Sequence, residues 1–281
     1  MANVWDAMKK HEAEKAAAPG DAPAPAPAPQ PAAPPPQAAT PVPASPKAAA
    51  AARYGTQALN GYAPDLVAHH DRGSAATEEY RSLRTHLLTH YAEERFCLLL
   101  TSTVQGEGKT VTCLNLALVL AERQERRVVV IDCDLRKRRV ADLMRIPNTP
   151  GLAECVRDGA RLEDVTQPTH YRNLFVIPAG DARQNEVGDI LGRPELEDLI
   201  EQLRQRYDYV LVDTPPITEV PDAGVLGKAV HDAVLVVRMN KTRRESADHA
   251  IGLLHAANIK PIGIALTHHR RFIPKKIYYR L

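Results

Sequence analysis

Three stretches of the chain carry residue types at spacings that suit phosphate and metal chemistry. The first is Thr101-Ser102-Thr103-Val104-Gln105-Gly106-Glu107-Gly108-Lys109-Thr110. Its glycines let backbone N–H groups turn toward phosphate oxygens, and a helix starting at Lys109 adds a positive dipole. The Lys109 ammonium can reach β/γ-phosphates, and the Thr110 hydroxyl can ligate Mg²⁺. Gly106, Glu107, Gly108, Lys109, Thr110 and Val111 are the expected nucleotide-binding residues. One departure from the standard loop stands out, since Thr103 occupies the place six residues before the lysine where glycine is usual. The second stretch is Val128-Val129-Val130-Ile131-Asp132-Cys133-Asp134-Leu135-Arg136, an apolar run that ends in two carboxylates at i and i+2. The third is Tyr209-Val210-Leu211-Val212-Asp213-Thr214-Pro215-Pro216, in which Asp213 can hold Mg²⁺ through water and the prolines stiffen the exit. A single strand-end aspartate reads equally well as a helix cap or turn residue. Three such features in this order point to a nucleotide site.

These residues converge only if the elements that carry them lie side by side. Short apolar, strand-like runs at 95–102, 127–133, 173–178, 207–213, 233–238 and 261–267 alternate with helical patterns at 109–123, 151–157, 195–206, 222–229 and 243–256. Ahead of them, Glu78, Glu79, Tyr80, Arg81, Leu83, Arg84, Leu87 and Leu88 predict an amphipathic helix with Thr77 as its N-cap. Strands made of unbroken apolar residues are buried on both faces, as a parallel sheet covered by helices requires. The expected fold class is α/β, a three-layer sandwich with a mostly parallel central sheet, and ligands bind such sheets at the carboxyl ends of the strands.

Composition bounds the rest. Of the 23 prolines among 281 residues, 12 fall between Pro19 and Pro46 in a stretch rich in alanine. Pro-Ala repeats favour extended conformations and lack the apolar bulk for a core. We therefore expect a disordered region at 1–74, a folded domain at 75–267, and a flexible basic tail at 268–281 that carries Tyr278 and Tyr279 with five Lys/Arg and no acid. Val4, Trp5 and Met8 would share one face of a short terminal helix, a docking peptide at the end of a spacer. No apolar run is long enough to span a bilayer or to serve as a signal peptide, so a cytoplasmic location is expected. The formal net charge of +2 gives no global drive toward nucleic acid. Cys97, Cys113, Cys133 and Cys155 lack any CxxC pairing and read as packing residues.

Together these motifs resemble the bacterial tyrosine kinases (BY-kinases), P-loop autokinases of capsule and exopolysaccharide export. The resemblance runs from about residue 77 to 267 and rests on several features. They are the phosphate loop, the Asp132-x-Asp134-x-Arg136 motif that the family calls Walker A′, the Asp213-x-Pro215-Pro216 Walker B, and Glu78-x-x-Arg81-x-x-Arg84, which is similar to the family's oligomerisation helix. Gly151-Leu152, the run from Asn173 to Gly180 and Lys241-Thr242-Arg243-Arg244-Glu245 belong to the same pattern. The resemblance implies a P-loop NTPase fold that binds ATP and Mg²⁺, with Lys109 on the phosphates. Thr110, Asp134 and Asp213 would stand around the metal, and Asp132 would accept the tyrosine proton, assisted by Asp134. It implies Tyr278 and Tyr279 as phospho-acceptors, a homo-oligomeric ring built through Glu78, Arg81 and Arg84, and a transmembrane polysaccharide co-polymerase as activating partner. The location implied is peripheral, at the inner face of the membrane through that partner. The sequence departs from the family in its short tyrosine cluster, in Thr267 where an Asn is usual, and in Asn185-Glu186 where Asn-Pro is usual. Two other readings fit the same fold. One is an ATP-bound regulatory subunit of a co-polymerase without kinase activity. The other is a Min/Par-type partitioning ATPase, disfavoured because Val104 stands where those proteins carry an extra lysine.

Overall fold

Val128, Val129, Val130 and Ile131 have no solvent exposure, and the strands on either side of them are also buried. The computed structural model describes residues 61–268, residues 93 and 221 excepted. The Trp5 peptide, the Pro-Ala stretch, Tyr278 and Tyr279 lie outside the described residues.

In chain order the elements are α1 (Val67–His70), α2 (Ala75–His90), β1 (Phe96–Ser102), α3 (Lys109–Leu120), β2 (Val128–Asp132), α4 (Arg139–Met144), α5 (Leu152–Asp158), α6 (Leu162–Val165), β3 (Gln167–Pro168), β4 (Leu174–Ile177), α7 (Val187–Leu191), α8 (Pro194–Arg206), β5 (Tyr209–Asp213), α9 (Asp222–Val225), a 3₁₀ turn (Leu226–Lys228), β6 (Asp232–Arg238), α10 (Arg244–Ala256) and β7 (Lys260–Thr267). The seven strands form one sheet in the order β3-β4-β2-β5-β1-β6-β7, parallel throughout except for the short β3–β4 pair. Side chains alternate across it. In β1, Cys97 and Leu99 join the core under α5, α7, α8 and α10, while Phe96, Leu98 and Leu100 join the core under α1 to α4. Two apolar faces covered by helices make the three-layer α/β sandwich that the alternation of patterns predicts.

Several elements depart from expectation for physical reasons. Helices α1, α4, α6 and α7 and the two-residue β3 are too short to show a period. Helix α2 begins before Thr77. Its N-cap is Ser74, whose Oγ accepts from Thr77 N at 3.1 Å, and Thr77 itself is fully buried with its hydroxyl donating to Asp71 O at 2.7 Å. The folded part also starts ahead of residue 75. Tyr62, Ala63, Leu66 and Ala68 are buried, and the segment is tied to α3 through Asn115, which accepts from Ala68 N at 2.9 Å and donates to Asp65 O at 3.0 Å. Strand β7, an apolar run like the others, lies at the sheet edge with Ile264 and Leu266 exposed. Glu78, Arg81 and Arg84 converge within one chain. Arg81 bridges Glu78 and Glu122, and Arg84 donates to Glu122 at 2.7 Å and to Val119 O at 2.5 Å. Cys97, Cys113 and Cys133 are buried, with their thiols pushed up by desolvation, as packing residues should be.

Candidate functional site

Parallel register brings the chemistry together. Asp132 at the end of β2 lies beside Asp213 at the end of β5, and Leu100 of β1 lies on the other side of Asp213, so the loop leaving β1 passes directly over both carboxylates. In that loop Gly106 and Gly108 hold φ of +82° and +91°, the left-handed region where a Cβ is unfavourable. They turn the backbone into the N-terminus of α3. Helix α3 is buried nearly all round, which fixes the loop's direction.

Glu107 explains how the loop closes without the usual early glycine. Its carboxylate turns away from the cavity and accepts from Thr103 N at 2.7 Å, from Val104 N at 3.0 Å and from the hydroxyls of Thr103 and Thr242. Thr103 is therefore a clasp where a glycine would be only a hinge. Burial raises the Glu107 pKa, but the Thr242, Val104 and Thr103 bonds outweigh it and hold the group below the ordinary glutamate value. Of the expected nucleotide-binding residues, Glu107 thus offers only its main chain. Thr267 shares this work, since its hydroxyl donates to Glu107 O at 2.7 Å and its side chain lies against Gly108.

We expect Glu107→Gln to destabilise the protein by roughly 1–3 kcal/mol, because an amide cannot accept all these donors. Urea unfolding monitored by circular dichroism reads the loss. The sign with pH is fixed: a depressed carboxylate contributes stability above its unfolded pKa and loses it as pH falls through the lower folded value. The difference between wild type and variant should accordingly narrow in acid.

Lys109 points into the carboxylates. Its Nζ donates to Asp134 Oδ2 at 2.8 Å and lies 3.8 Å from Asp213 Oδ2 and 3.3 Å from Thr110 Oγ1. Thr110 in turn donates to Asp213 Oδ2 at 2.8 Å. Burial lowers the Lys109 pKa, but Asp213 and Asp134 raise it further, so the ammonium stays charged. Asp213 is pushed up to about 6 by burial, against the pull of Lys109 and of the Thr110 hydroxyl. Asp132 is driven well above the usual carboxylate range by burial, then by Asp213 and Asp134. Asp132 accepts from Asp134 N at 3.0 Å and from Val140 N at 3.2 Å, bonds that set the turn after β2.

Three carboxylates thus face one ammonium, and Asp213 Oδ1 is buried without a hydrogen-bond partner. An orphaned oxygen in a cluster short of positive charge is a place a divalent cation fits, with Asp213 and Thr110 nearest it. No group of three His/Cys/Asp/Glu with metal-holding geometry occurs among the described residues. Mg²⁺ keeps water and phosphate oxygens as most of its ligands and takes few from the protein.

A cavity of about 390 Å³ opens over this cluster, lined by Gln105, Gly106, Gly108, Lys109, Thr110, Val111, Asp134, Lys137, Arg139, Leu143 and Pro216. The expected residues Gly106, Gly108, Lys109, Thr110, Val111 and Asp134 all line it, with Asp132 and Asp213 behind them. Motif reading missed the fastening of the β5 exit. Ile217 N donates to Ser102 O at 3.0 Å, the Thr218 hydroxyl donates to Thr103 O, and Glu219 accepts from Gln105 N at 2.7 Å. Arg136 forms a two-pronged pair with Asp222, at 2.7 and 3.2 Å. The acids after Pro215-Pro216 were the available signal, but their partners lie about a hundred residues away.

The sequence family described as AAA domain matches residues 100–243. The chain is 32% identical over 204 residues to the tyrosine-protein kinase YwqD of Bacillus subtilis (strain 168), across 72% of this chain and 85% of that one. Among solved structures, the kinase domain of the Escherichia coli tyrosine kinase ETK superposes with a TM-score of 0.68 at 28% identity, covering 74% of this chain and 83% of that one. The cell division ATPase MinD of Pyrococcus furiosus superposes with a TM-score of 0.54 at 23% identity, over 66% and 78% of the two chains, and shares the fold.

Proposed function

We propose, from the premise that this chain belongs to the bacterial tyrosine kinases, that it uses Mg·ATP to phosphorylate tyrosines of its own C-terminal tail in the control of exopolysaccharide or capsule export. The chain is a nucleotide-binding protein-tyrosine kinase. The observation that carries the finer reading is Lys109, held between Asp134 and Asp213 at the floor of the cavity, with Thr110 bonded to Asp213.

In this reading Lys109 and the Gly106 to Thr110 backbone take the phosphates, and Thr110 and Asp213 hold Mg²⁺. The metal, when bound, draws charge from the transferring phosphoryl group. The bond from the γ-phosphorus to the bridging oxygen breaks, one to the tyrosine oxygen forms, and ADP leaves with the electron pair. We assign the phenolic proton to Asp134, which lines the cavity. Both acids accept two hydrogen bonds, Asp134 from Lys109 Nζ and Lys137 N and Asp132 from Asp134 N and Val140 N, but Asp132, the acceptor expected from sequence, does not line the cavity.

Tyr278 and Tyr279 are the proposed acceptors. Assembly through Glu78, Arg81 and Arg84 would require Arg81 to release Glu78 and both arginines to release Glu122 in favour of a neighbouring subunit. No helix among the described residues is long and apolar enough to cross a membrane. We assign membrane recruitment to a transmembrane co-polymerase whose cytoplasmic tail activates the kinase. The proposed domain limits are an N-terminal spacer ending near residue 60, a kinase domain to 267 and the acceptor tail beyond it.

The test incubates the full chain with Mg·ATP and the cytoplasmic tail of its partner and reads phosphotyrosine by blot and mass spectrometry. We expect signal on Tyr278 and Tyr279, lost in Lys109→Ala. Signal that survives Lys109→Ala would overturn the assignment of the site. A Tyr278→Phe, Tyr279→Phe chain that labels as strongly as wild type would overturn the choice of acceptor.

A further inference from the structure

Four consecutive cations, Arg136, Lys137, Arg138 and Arg139, follow Asp134 and Leu135, and the structure treats alternate members differently. Arg136 is committed to Asp222. Arg138 donates to Leu135 O at 3.0 Å and to Ala182 O, and pairs with Asp181 at 3.2 Å. Lys137 and Arg139 are exposed, and neither side chain has an ion pair or hydrogen bond among the described residues. Both stand on the wall of the nucleotide cavity, which they share with Gly106, Gly108 and Lys109.

The backbone between them is unusual. Arg138 sits at φ +53° and ψ +39°, a left-handed conformation unfavourable for any residue with a Cβ. Its three side-chain anchors hold that turn, and the turn brings Lys137 and Arg139 to the same cavity. Strained backbone of this kind persists where its surroundings over-determine it, commonly at functional sites.

The charge balance indicates what the two cations meet. Lys109 is already compensated by Asp134 and Asp213, whereas a phosphoryl group in transfer spreads charge over its equatorial oxygens and needs uncompensated positive groups nearby. The proposed acceptor tail has five Lys/Arg and no acid, so it offers Lys137 and Arg139 no counter-charge, and the phosphoryl oxygens are the anions left for them to meet. Resting on the kinase reading above, we infer that Lys137 and Arg139 are catalytic residues that contact the phosphoryl oxygens as the group passes from ADP to the tyrosine oxygen. They neither gain nor lose a proton in the step; their contribution is charge stabilisation that is greatest in the transition state.

The experiment uses the full chain with Lys137→Met, Arg139→Met and the double change. Three quantities are measured: the single-turnover rate of phosphotyrosine formation, the affinity for Mg·ADP, and the affinity for Mg·ADP with aluminium fluoride, a mimic of the transferring group. We expect each single change to slow transfer about tenfold and the double change about a hundredfold. Mg·ADP affinity should stay within about threefold, while the aluminium fluoride complex weakens in step with the rate. Lys137→Arg and Arg139→Lys should retain most of the rate. A double variant that keeps both the wild-type rate and aluminium fluoride affinity overturns the inference, as does equal weakening of the two nucleotide complexes. The aluminium fluoride comparison is read whether or not the wild type labels tyrosine. Failure of the kinase reading would instead appear as an unlabelled wild type.

Discussion

Replacing Lys109 with methionine is expected to slow phosphotyrosine formation roughly a thousandfold, the largest effect of any single change in the cavity. Among the described residues this side chain is the one cation that bonds to the carboxylate cluster, and it is also the group the phosphates would meet first. Its removal does two separable things. It deletes the positive charge opposite the transferring group, which slows chemistry. It also leaves Asp132, Asp134 and Asp213 facing one another without compensation, which acts on the nucleotide-free protein.

The second effect has a definite sign with pH. Asp132 and Asp213 already have raised pKa values, and without Lys109 they rise further, because the attraction that lowers them is gone. A carboxylate whose folded pKa lies above its unfolded value destabilises the fold once pH exceeds the unfolded value, and the penalty is full above the folded one. We therefore expect Lys109→Met to be less stable than wild type at pH 8, by roughly 2–3 kcal/mol, with the gap smaller at pH 5 where Asp132 and Asp213 are protonated. Calorimetry at the two values, beside the activity assay, separates the roles. A gap that widened toward acid would contradict the proposed electrostatics of the cluster.

Gly151→Ala is expected to produce the largest loss of stability, about 3 kcal/mol or more, with much of the chain insoluble on expression. Gly151 is buried at the start of α5, and a Cβ there would lie 2.3 Å from Pro178 O and 2.4 Å from Gly180 N. Both are backbone atoms. They are held in turn, since Pro178 O accepts from Leu152 N at 2.8 Å and Gly180 N donates to Asn148 O at 3.1 Å. The backbone angles of Gly151 itself are extended and open to any residue, so the argument is one of space alone. The displacement would also reach the site, because β4 pairs with β2 residue for residue up to Ile131, next to Asp132. Gly188→Ala supplies the control. That glycine lies in α7 with nothing near its would-be Cβ, and alanine should be neutral or stabilising by up to about 1 kcal/mol. Urea denaturation of both variants reads the contrast, and equal stabilities would refute the packing argument.

Local chemistry made much of this legible. The strand-like runs ending at Ser102, Asp132 and Asp213 announce themselves because strands buried on both faces need unbroken apolar side chains. The Gly106, Gly108, Lys109 and Thr110 pattern announces itself because main-chain N–H groups can surround a phosphate only where glycine permits the turn. Ser74 displaced Thr77 as cap because both hydroxyls suit the role locally, and burial of Thr77 against the core decided between them. Residues 61–70 are unremarkable in the sequence, yet Asn115 draws them onto α3. Nothing nearby in the chain reveals such a partner.

The sequence by itself therefore determined the class of fold, the glycine turn that leads into α3 and the strand-end acids Asp132 and Asp213, since each depends on composition and spacing within about ten residues. Tertiary structure decided the rest. It set Asp132 beside Asp213 through strand register and turned Glu107 inward to clasp Thr103 and Thr242. It gave Asp134, rather than Asp132, the cavity wall, and it sorted four like cations into two anchors and two groups facing the cavity. Charge neutralisation and hydrogen bonding act over a few ångströms of space, and only the folded sheet brings residues a hundred positions apart within that reach.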